Sequence, residues 1–266
     1  MLIFSNTNEA YLSVLKAILD EPEFVVSPRK KPARERCNVA FKVTAPSSSP
    51  IVTLDDVRNE DIRRYTELEV DLYNQRTNQV ADFLKASKFW GKIANPDLTV
   101  NSAYGWLIWG RKSVGNIGYE YPLTCKDWDE KIGEGDCPID GHEMMRTPWD
   151  WAKQSLVADK DSRQAFLRFS LPEHQWFGNK DQVCTMHGIF FIREDRLHLT
   201  IVMRSCDCVK GLVYDMPWFC SLLERMRDEL LFTYSGLQTG TYTHIVHSLH
   251  IYESDINTVK RMIGEP

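Results

Sequence analysis

Two residues, Cys184 and Arg204, are spaced so that a β-hairpin would place a thiol beside a guanidinium. Residues 197–204 alternate between two kinds of side chain, the period-two pattern of a strand with unlike faces. A hairpin that closes on Glu194-Asp195 sets residue 184 opposite residue 205, at the open end of the strands. A guanidinium lowers the pKa of a neighbouring thiol, and the thiolate is the nucleophile. The alternative is structural, because cysteine is among the most often buried residue types.

Short motifs in this order and spacing resemble the thymidylate synthase superfamily. The nucleophile position is Cys184, the arginine motif is Arg204–Asp207, and the C-terminal His-x-Tyr is His250–Tyr252. The match is closer to one branch, the deoxycytidylate hydroxymethylases of T-even phages. The segments that carry this closer match are residues 24–26, 101–106, 161–163, 184–185, 203–205 and 248–252. The resemblance covers roughly residues 10–255.

The resemblance implies one thymidylate synthase-like catalytic domain over residues 1–266. Its fold would be of the α/β (α+β) class, a mixed twisted sheet with flanking helices, and the sheets of a homodimer would pack against each other.

Local patterns predict helices at residues 8–20, at 59–87 with one break, from Pro148, and up to about residue 232. They predict short strands at residues 165–169 and 249–252. Asn6 or Thr7 would cap the first helix, and Thr147 would cap the third. An apolar stripe marks the buried face of the second helix, at Tyr65, Leu68, Leu72 and Tyr73, and of the last helix, at Trp218, Phe219, Leu222, Leu223, Met226 and Leu230.

Three catalytic positions follow from the resemblance. Cys184 would add to C6 of a pyrimidine, and Glu69 would relay protons and order water at the base. Glu67 is the alternative alignment for this glutamate. Asp215 is the third position, where thymidylate synthases carry an asparagine that pairs with uracil. The structural alternatives are a solvated helix face for the glutamate and a helix N-cap for the aspartate.

Asp215 predicts a cytidylate substrate. One carboxyl oxygen can accept a hydrogen bond from the 4-amino group of cytosine, while a shared proton bridges the other oxygen to N3. Burial beside the base would help to keep that proton, because it disfavours the charged carboxylate. Thr185 and Met203 replace the histidine and glutamine of thymidylate synthases, as they do in the hydroxymethylase branch.

The resemblance also implies ligand-binding positions. The substrate would contact Arg204, Ser205, Arg163, Arg29, Tyr104, His250 and Tyr252, and the folate would contact Asp207 and Trp106. Arginines bind phosphate in two-pronged contacts, and Arg34 is a second choice within the basic loop 29–36. The family has two consecutive arginines at the 163 position, reaching across the dimer interface, but this chain continues with Gln164.

The implied cosubstrate is 5,10-methylenetetrahydrofolate, and no metal is expected. Addition of the Cys184 thiolate makes C5 of the base nucleophilic, and C5 accepts the one-carbon unit. Capture of the resulting exocyclic methylene by water gives 5-hydroxymethyl-dCMP and tetrahydrofolate, whereas hydride transfer gives a methyl group. In a phage setting the product would feed modified DNA.

Several alternative functions compete with dCMP hydroxymethylation. A dCMP C5-methyltransferase, a CMP 5-hydroxymethylase and an inactive nucleotide- or RNA-binding relative stay open. A zinc site is disfavoured because Cys206 and Cys208 are one residue apart, unlike the C-x-x-C pattern. A zinc deaminase needs H-x-E with P-C-x-x-C, which Cys137-Pro138 and His142-Glu143 do not supply.

Composition sets the outer bounds. The 266 residues, 43% of them hydrophobic, suffice for one sizeable core. A net charge of -5 argues against direct nucleic-acid binding, which needs a basic field. The absence of an 18-residue apolar run or a signal pattern predicts no membrane span and no export. Seven cysteines suit a reducing cytoplasm, bacterial or that of a phage host.

Overall fold

A computed structural model describes residues 1–111 and 147–265, so the segments around Cys137 and His142 lie outside the described residues. In the described part, eight strands form one mixed sheet. They are β1 Leu2–Asn6, β2 Phe24–Val26, β3 Ala33–Ala45, β4 Phe166–Arg168, β5 Thr185–Arg193, β6 Arg196–Met203, β7 Cys206–Asp207 and β8 Gln238–Tyr252. The mixed sheet with its helices confirms the predicted α/β class.

The sheet is built around the long strand β8. Its order is β1-β3-β8-β6-β5-β4, with β2 paired to β3 and β7 paired to β8. β3 runs antiparallel to β8, whereas β6 and β7 run parallel to it. The strand predicted at residues 249–252 is therefore only the last part of a 15-residue strand. Its earlier part escaped prediction because histidines and threonines interrupt the apolar pattern.

Seven α-helices are described. They are α1 Thr7–Asp20, α2 Asp56–Asn74, α3 Val80–Phe83, α4 Phe89–Ile93, α5 Pro148–Ala158, α6 Val213–Leu230 and α7 Ile256–Met262. The predicted break in the 59–87 helix is confirmed, since α2 ends at Asn74 and α3 begins at Val80. The predicted caps Asn6 and Thr147 accept hydrogen bonds from the backbone N–H groups of Glu9 and Asp150.

One structural alternative and one local prediction are wrong. Asp215 is not a helix cap, because α6 begins two residues earlier, at Val213. The side chain of Asp215 accepts a hydrogen bond from the thiol of Cys206 instead. The basic stretch 29–36 is not one loop, because β3 begins at Ala33 and includes Arg34. Pairing with β2 and β8 supplies hydrogen bonds that turn the second half of this stretch into a strand.

Helix α6 supplies much of the core. Its predicted apolar stripe is almost fully buried, at Trp218, Phe219, Leu222, Leu223, Met226 and Leu230. Burying each such side chain stabilises the fold by roughly 1.5–3 kcal/mol. The Trp218 ring lies 4.8 Å from that of Tyr73 on α2 and 5.5 Å from that of Trp109. These contacts fix α6 against α2, the two helices that carry Asp215 and Glu69.

A second contact fixes the segment 101–110 against α2. The backbone of Gly105 is helical, but an added Cβ atom would overlap the carbonyl oxygen of Tyr73. Glycine is therefore required here by close approach and not by its backbone angles. This approach brings the neighbouring Tyr104 ring to 5.4 Å from the Tyr73 ring.

We expect Gly105→Ala to lower the free energy of unfolding by at least about 2 kcal/mol, because the methyl group meets backbone that cannot rotate away. Denaturant unfolding measures this change. Gly91→Ala is the matched control, since its Cβ would lie 3.2 Å from the flexible end of Leu84. Equal stability of the two variants would contradict the close approach.

Candidate active site

The β5–β6 hairpin brings Cys184 and Arg204 together, with one correction to the predicted register. Arg193 pairs with Arg196 at the turn, but an irregularity between Thr185 and His187 shifts the pairing by one residue. The backbone N–H of Arg204 consequently donates to the carbonyl of Cys184 at 2.9 Å. The predicted partner, Ser205, is wrong by one position because a bulge cannot be read from the alternation of side chains.

The Arg204 side chain is held by the strand end that carries the thiol. Its Nη2 lies 3.6 Å from Sγ of Cys184, and its Nε donates to the carbonyl of Val183 at 3.0 Å. Its Nη1 donates to the hydroxyl of Ser205 at 3.1 Å, and that hydroxyl lies 3.8 Å from Sγ. Cys184, Arg204 and Ser205 thus form one contiguous polar cluster.

The pKa of the Cys184 thiol is shifted in the direction opposite to the sequence prediction. Burial raises the pKa of Cys184, and the nearby Arg204 charge and the Ser205 hydrogen bond only partly oppose that rise. The guanidinium acts in the predicted direction, but the predicted net lowering of the pKa is wrong. Desolvation outweighs it because the thiolate loses more hydration than one positive charge restores.

Asp215 is half-buried on the first turn of α6. The Cys206 thiol donates to its Oδ2 at 3.6 Å, and burial raises its pKa to about 6. An added Cβ at Gly211 would lie 3.3 Å from both the same oxygen and the Cys206 sulfur. The carboxyl group is therefore closely surrounded, and the raised pKa leaves a minor fraction of it protonated at neutral pH.

Glu69, rather than Glu67, lies inside the protein. Its side chain is buried, and burial, reinforced by the charge of Asp215, raises its pKa to about 8. The hydroxyl of Tyr65 donates to its Oε1 at 3.3 Å. Glu67 lies on the solvated face of α2 and pairs with Arg63 at 2.9 Å. Of the two glutamates, only Glu69 therefore presents its carboxyl group to the interior.

Tyr104 lies in the same interior region. Its hydroxyl accepts a hydrogen bond from Thr185, the residue after the thiol, at 2.9 Å. Burial raises the pKa of Tyr104, and the charges of Asp215 and Cys184 add to that rise. A neutral tyrosine hydroxyl is therefore positioned among the thiol and the carboxyl groups.

Asp207, His250 and Tyr252 meet at the ends of two strands. Asp207 on β7 pairs with His250 on β8, and the ring of His250 lies 5.0 Å from that of Tyr252. The Oδ1 atom of Asp207 accepts from the backbone N–H groups of Val209 and Lys210, at 2.8 and 3.1 Å. Asp207 therefore caps the helical turn 208–212, and its second oxygen can accept from a ligand.

Four other residues predicted to bind a ligand lie outside this cluster in the described part of the chain. Within residues 1–111 and 147–265, no hydrogen bond or ion pair connects Arg163 or Arg29 to it, and both are exposed. Arg34, the second choice for a phosphate ligand, donates to the carbonyl of Leu19 and pairs with Glu253. Trp106 is half-buried and lines a small cavity with Asn78, Asn101, Arg111 and His174.

Sequence reasoning missed Asp181. It is buried and accepts from the backbone N–H groups of Asn101 and Ser102, at 2.7 and 2.9 Å. This carboxylate ties the strand entry before Cys184 to the segment that carries Tyr104. No local signal marks it, because its partners lie about 80 residues away in the chain.

Two negative findings apply to the described ranges. No helix there is long and apolar enough to cross a membrane. No group of three or more metal-ligating side chains occurs in the same ranges.

Comparison with known proteins identifies relatives of this chain. The thymidylate synthase family profile matches residues 9–265. A deoxycytidylate 5-hydroxymethyltransferase of Enterobacteria phage T4 is 24% identical over 195 residues, 71% of this chain and 66% of that protein. A thymidylate synthase of Symbiobacterium thermophilum is 25% identical over 189 residues, 69% of this chain and 63% of that protein.

A deoxyuridylate hydroxymethyltransferase of Bacillus phage SP01 aligns with 94% of this chain at 24% identity, but with 58% of its own length. The aligned parts thus span about two thirds or less of these curated relatives. Among solved structures, thermostable thymidylate synthase A from Bacillus subtilis superposes with a TM-score of 0.62 at 18% identity. That superposition covers 96% of this chain and 83% of the other, and it confirms the predicted fold.

Alkylation of Cys184 by iodoacetamide should have a midpoint pH above that of an ordinary cysteine, because burial raises its pKa. In Arg204→Leu the midpoint should rise further, by about one pH unit, because the opposing positive charge is lost. Mass spectrometry of the Cys184 peptide over a pH series measures both midpoints.

Arg63→Leu is the matched control for this change, since it removes an exposed arginine that pairs with Glu60 and Glu67. It should leave the Cys184 midpoint in place. An Arg204→Leu midpoint at or below that of the unmodified protein would show that the guanidinium does not favour the thiolate.

Proposed function

Because this chain belongs to the thymidylate synthase family, we propose that it transfers a one-carbon unit from 5,10-methylenetetrahydrofolate to C5 of dCMP, with water capture giving 5-hydroxymethyl-dCMP. The observation that carries the choice of base is the Asp215 carboxyl beside the Cys206 thiol, with its pKa raised to about 6 by desolvation. The phage T4 relative, named for deoxycytidylate hydroxymethyl transfer, supports the same choice.

Cys184 is the proposed nucleophile. Its thiolate adds to C6 of cytosine, and the carbanion character that develops at C5 forms a bond to the one-carbon unit. The folate supplies that unit at the oxidation level of formaldehyde. Arg204 stabilises the thiolate from 3.6 Å. Loss of the C5 proton and cleavage of the carbon–nitrogen bond to tetrahydrofolate would then leave an exocyclic methylene on the base. Addition of water to this methylene expels Cys184 as its thiolate and restores the aromatic base.

Asp215 reads the cytosine edge. With one proton on its carboxyl group, it donates to N3 and accepts from the 4-amino group, a pattern that uracil cannot complement. Burial supports this role because it keeps the proton on the carboxyl group at higher pH. The Cys206 thiol donates to Oδ2 at 3.6 Å and so helps to fix the orientation of the carboxyl group.

Glu69 accepts the proton, and Tyr104 orders water beside the base. Glu69 in its ionised form accepts a proton from the water that captures the exocyclic methylene. Its pKa of about 8 lies close to working pH, where a general acid–base group is most effective. Tyr104 is neutral and hydrogen-bonded to Thr185, so its hydroxyl can order water beside the base.

The remaining contacts divide between nucleotide and folate. Arg204 and Ser205 bind the phosphate, and His250 and Tyr252 bind the sugar 3'-hydroxyl. The second oxygen of Asp207 accepts from the pterin, and Trp106 contacts the folate. Arg163 and Arg29 lie on exposed loops, which fits a role toward the phosphate of a second copy in a homodimer.

The same residues are compatible with other products and other nucleotides. Methyl transfer to dCMP, or use of CMP, would need the same cluster of residues. The Bacillus phage SP01 relative is named for deoxyuridylate, so uracil is a third base outcome to test. A cytoplasmic location, with no direct contact to nucleic acid, is expected from the small-molecule substrates.

Incubation with methylenetetrahydrofolate and dCMP should add a hydroxymethyl group to the nucleotide, detected by mass spectrometry. CMP and dUMP run in parallel identify the preferred base and sugar. Cys184→Ala should abolish all product, because no other group in the cluster can add to C6. A methyl product would overturn water capture, and no product on any nucleotide would favour the inactive binding protein.

We expect Asp215→Asn to lower the ratio of kcat/KM for dCMP to that for dUMP by at least about 100-fold, because an amide complements uracil instead of cytosine. Competition between the two nucleotides, followed by mass spectrometry, measures this ratio. Asp161→Asn is the matched control, an exposed carboxyl that lies near Arg193. An unchanged ratio in Asp215→Asn would exclude Asp215 as the base reader.

A further inference from the structure

Two tyrosines flank Glu69 at one helical turn on either side. Tyr65 and Tyr73 precede and follow it by four residues on α2, the spacing that places side chains on one face of a helix. The Tyr65 hydroxyl donates to Oε1 of Glu69 at 3.3 Å. The Tyr73 hydroxyl lies on the same helix face, and it lowers the pKa of the same carboxyl group, as Tyr65 does.

The Tyr65 hydroxyl is oriented by a third residue. The indole Nε1 of Trp90, on α4, donates to the Tyr65 oxygen at 3.2 Å. An indole N–H can only donate, and a phenol has a single proton. The Tyr65 oxygen therefore accepts from Trp90 and directs its own proton to the Glu69 carboxyl group.

The Tyr65 ring is fixed as well. It lies 4.6 Å from the ring of Tyr214, the residue before Asp215 on α6. The Tyr214 hydroxyl accepts from Nη2 of Arg58 at 2.9 Å, and the same Nη2 donates to the carbonyl of Val209. A rotation of Tyr65 away from Glu69 would disturb this packing and leave the Trp90 N–H without its acceptor.

We propose that Tyr65 and Tyr73 are positioning residues that hold the Glu69 carboxyl group in one orientation and favour its ionised form during the reaction. This inference rests on the proposed function, because it concerns the group that accepts the proton from water there. It adds two residues that the sequence pattern assigns to helix packing alone.

The charges around Glu69 explain why donors are needed. Burial and the charge of Asp215 on α6 both oppose ionisation of Glu69, whereas the hydrogen bonds from Tyr65 and Tyr73 favour it. The tyrosines remain neutral donors, because burial raises the pKa of each well above its ordinary value. Tyr214 on α6 also faces this group and is likewise neutral.

Loss of a tyrosine donor would change the pKa of Glu69 in a definite direction. With both donors present the pKa of Glu69 is about 8, so a minority of the group is ionised at neutral pH. Loss of one donor raises that pKa and reduces the ionised fraction further. A proton acceptor would then be scarcer at neutral pH, and turnover would reach its maximum only at higher pH.

Tyr65→Phe tests the inference, since it removes one hydroxyl and keeps the ring. Infrared spectroscopy of protein with ¹³C-labelled glutamate carboxyl groups follows the titration, and Glu69→Gln identifies the Glu69 band. We expect the midpoint to rise by about one pH unit in Tyr65→Phe. Tyr214→Phe is the matched control, which removes a hydroxyl from the adjacent ring and should not move the midpoint.

The kcat–pH profile is the second measurement. In Tyr65→Phe its ascending limb should move to higher pH together with the carboxyl midpoint, while KM for the nucleotide changes less than twofold. Tyr73→Phe is an independent second variant with the same expected direction.

The outcomes separate this inference from the proposed function. Unchanged carboxyl midpoints in both Tyr65→Phe and Tyr73→Phe would overturn it, as would shifted midpoints with superimposable kcat–pH profiles. If the midpoints shift but the unmodified protein converts no pyrimidine nucleotide, the hydrogen-bonding role stands and the proposed function fails.

Discussion

Backbone pairing between β5 and β6 is the constraint on which the arrangement of the cluster depends. The bulge after Thr185 shifts the register by one residue, so that Cys184 pairs through its backbone with Arg204. The guanidinium then reaches the thiol, the carbonyl of Val183 and the hydroxyl of Ser205 together. Without the bulge, Cys184 would lie opposite Ser205, and its side chain would leave the sheet from the face opposite to that of Arg204.

Desolvation decides the charge of the groups that this pairing assembles. Burial raises the pKa of Cys184, of Glu69 and of Asp215, and in each case it is the largest cause. For a carboxyl group that must donate to cytosine N3, the effect is useful. For a thiol that must ionise, it is a cost that Arg204 only partly offsets, so the same dry interior serves the two groups in opposite ways.

Two helices and one loop complete the region from separate parts of the chain. α2 contributes Glu69, α6 contributes Asp215, and the packing of Trp218 against Tyr73 holds these helices together. Asp181 ties the strand entry before Cys184 to residues 101–102. The catalytic proposal therefore depends on core packing as much as on the polar side chains themselves.

The sequence by itself determined the family, the mixed α/β class, the caps of α1 and α5 and the buried stripe of α6, because these depend on local spacing and residue type. It also pointed to Cys184 and Arg204 as neighbours. Only the tertiary structure decided the one-residue register shift, the burial of Glu69 and exposure of Glu67, and the direction of the Cys184 pKa shift. These depend on hydrogen bonds and desolvation between segments far apart in the chain, which no local pattern encodes.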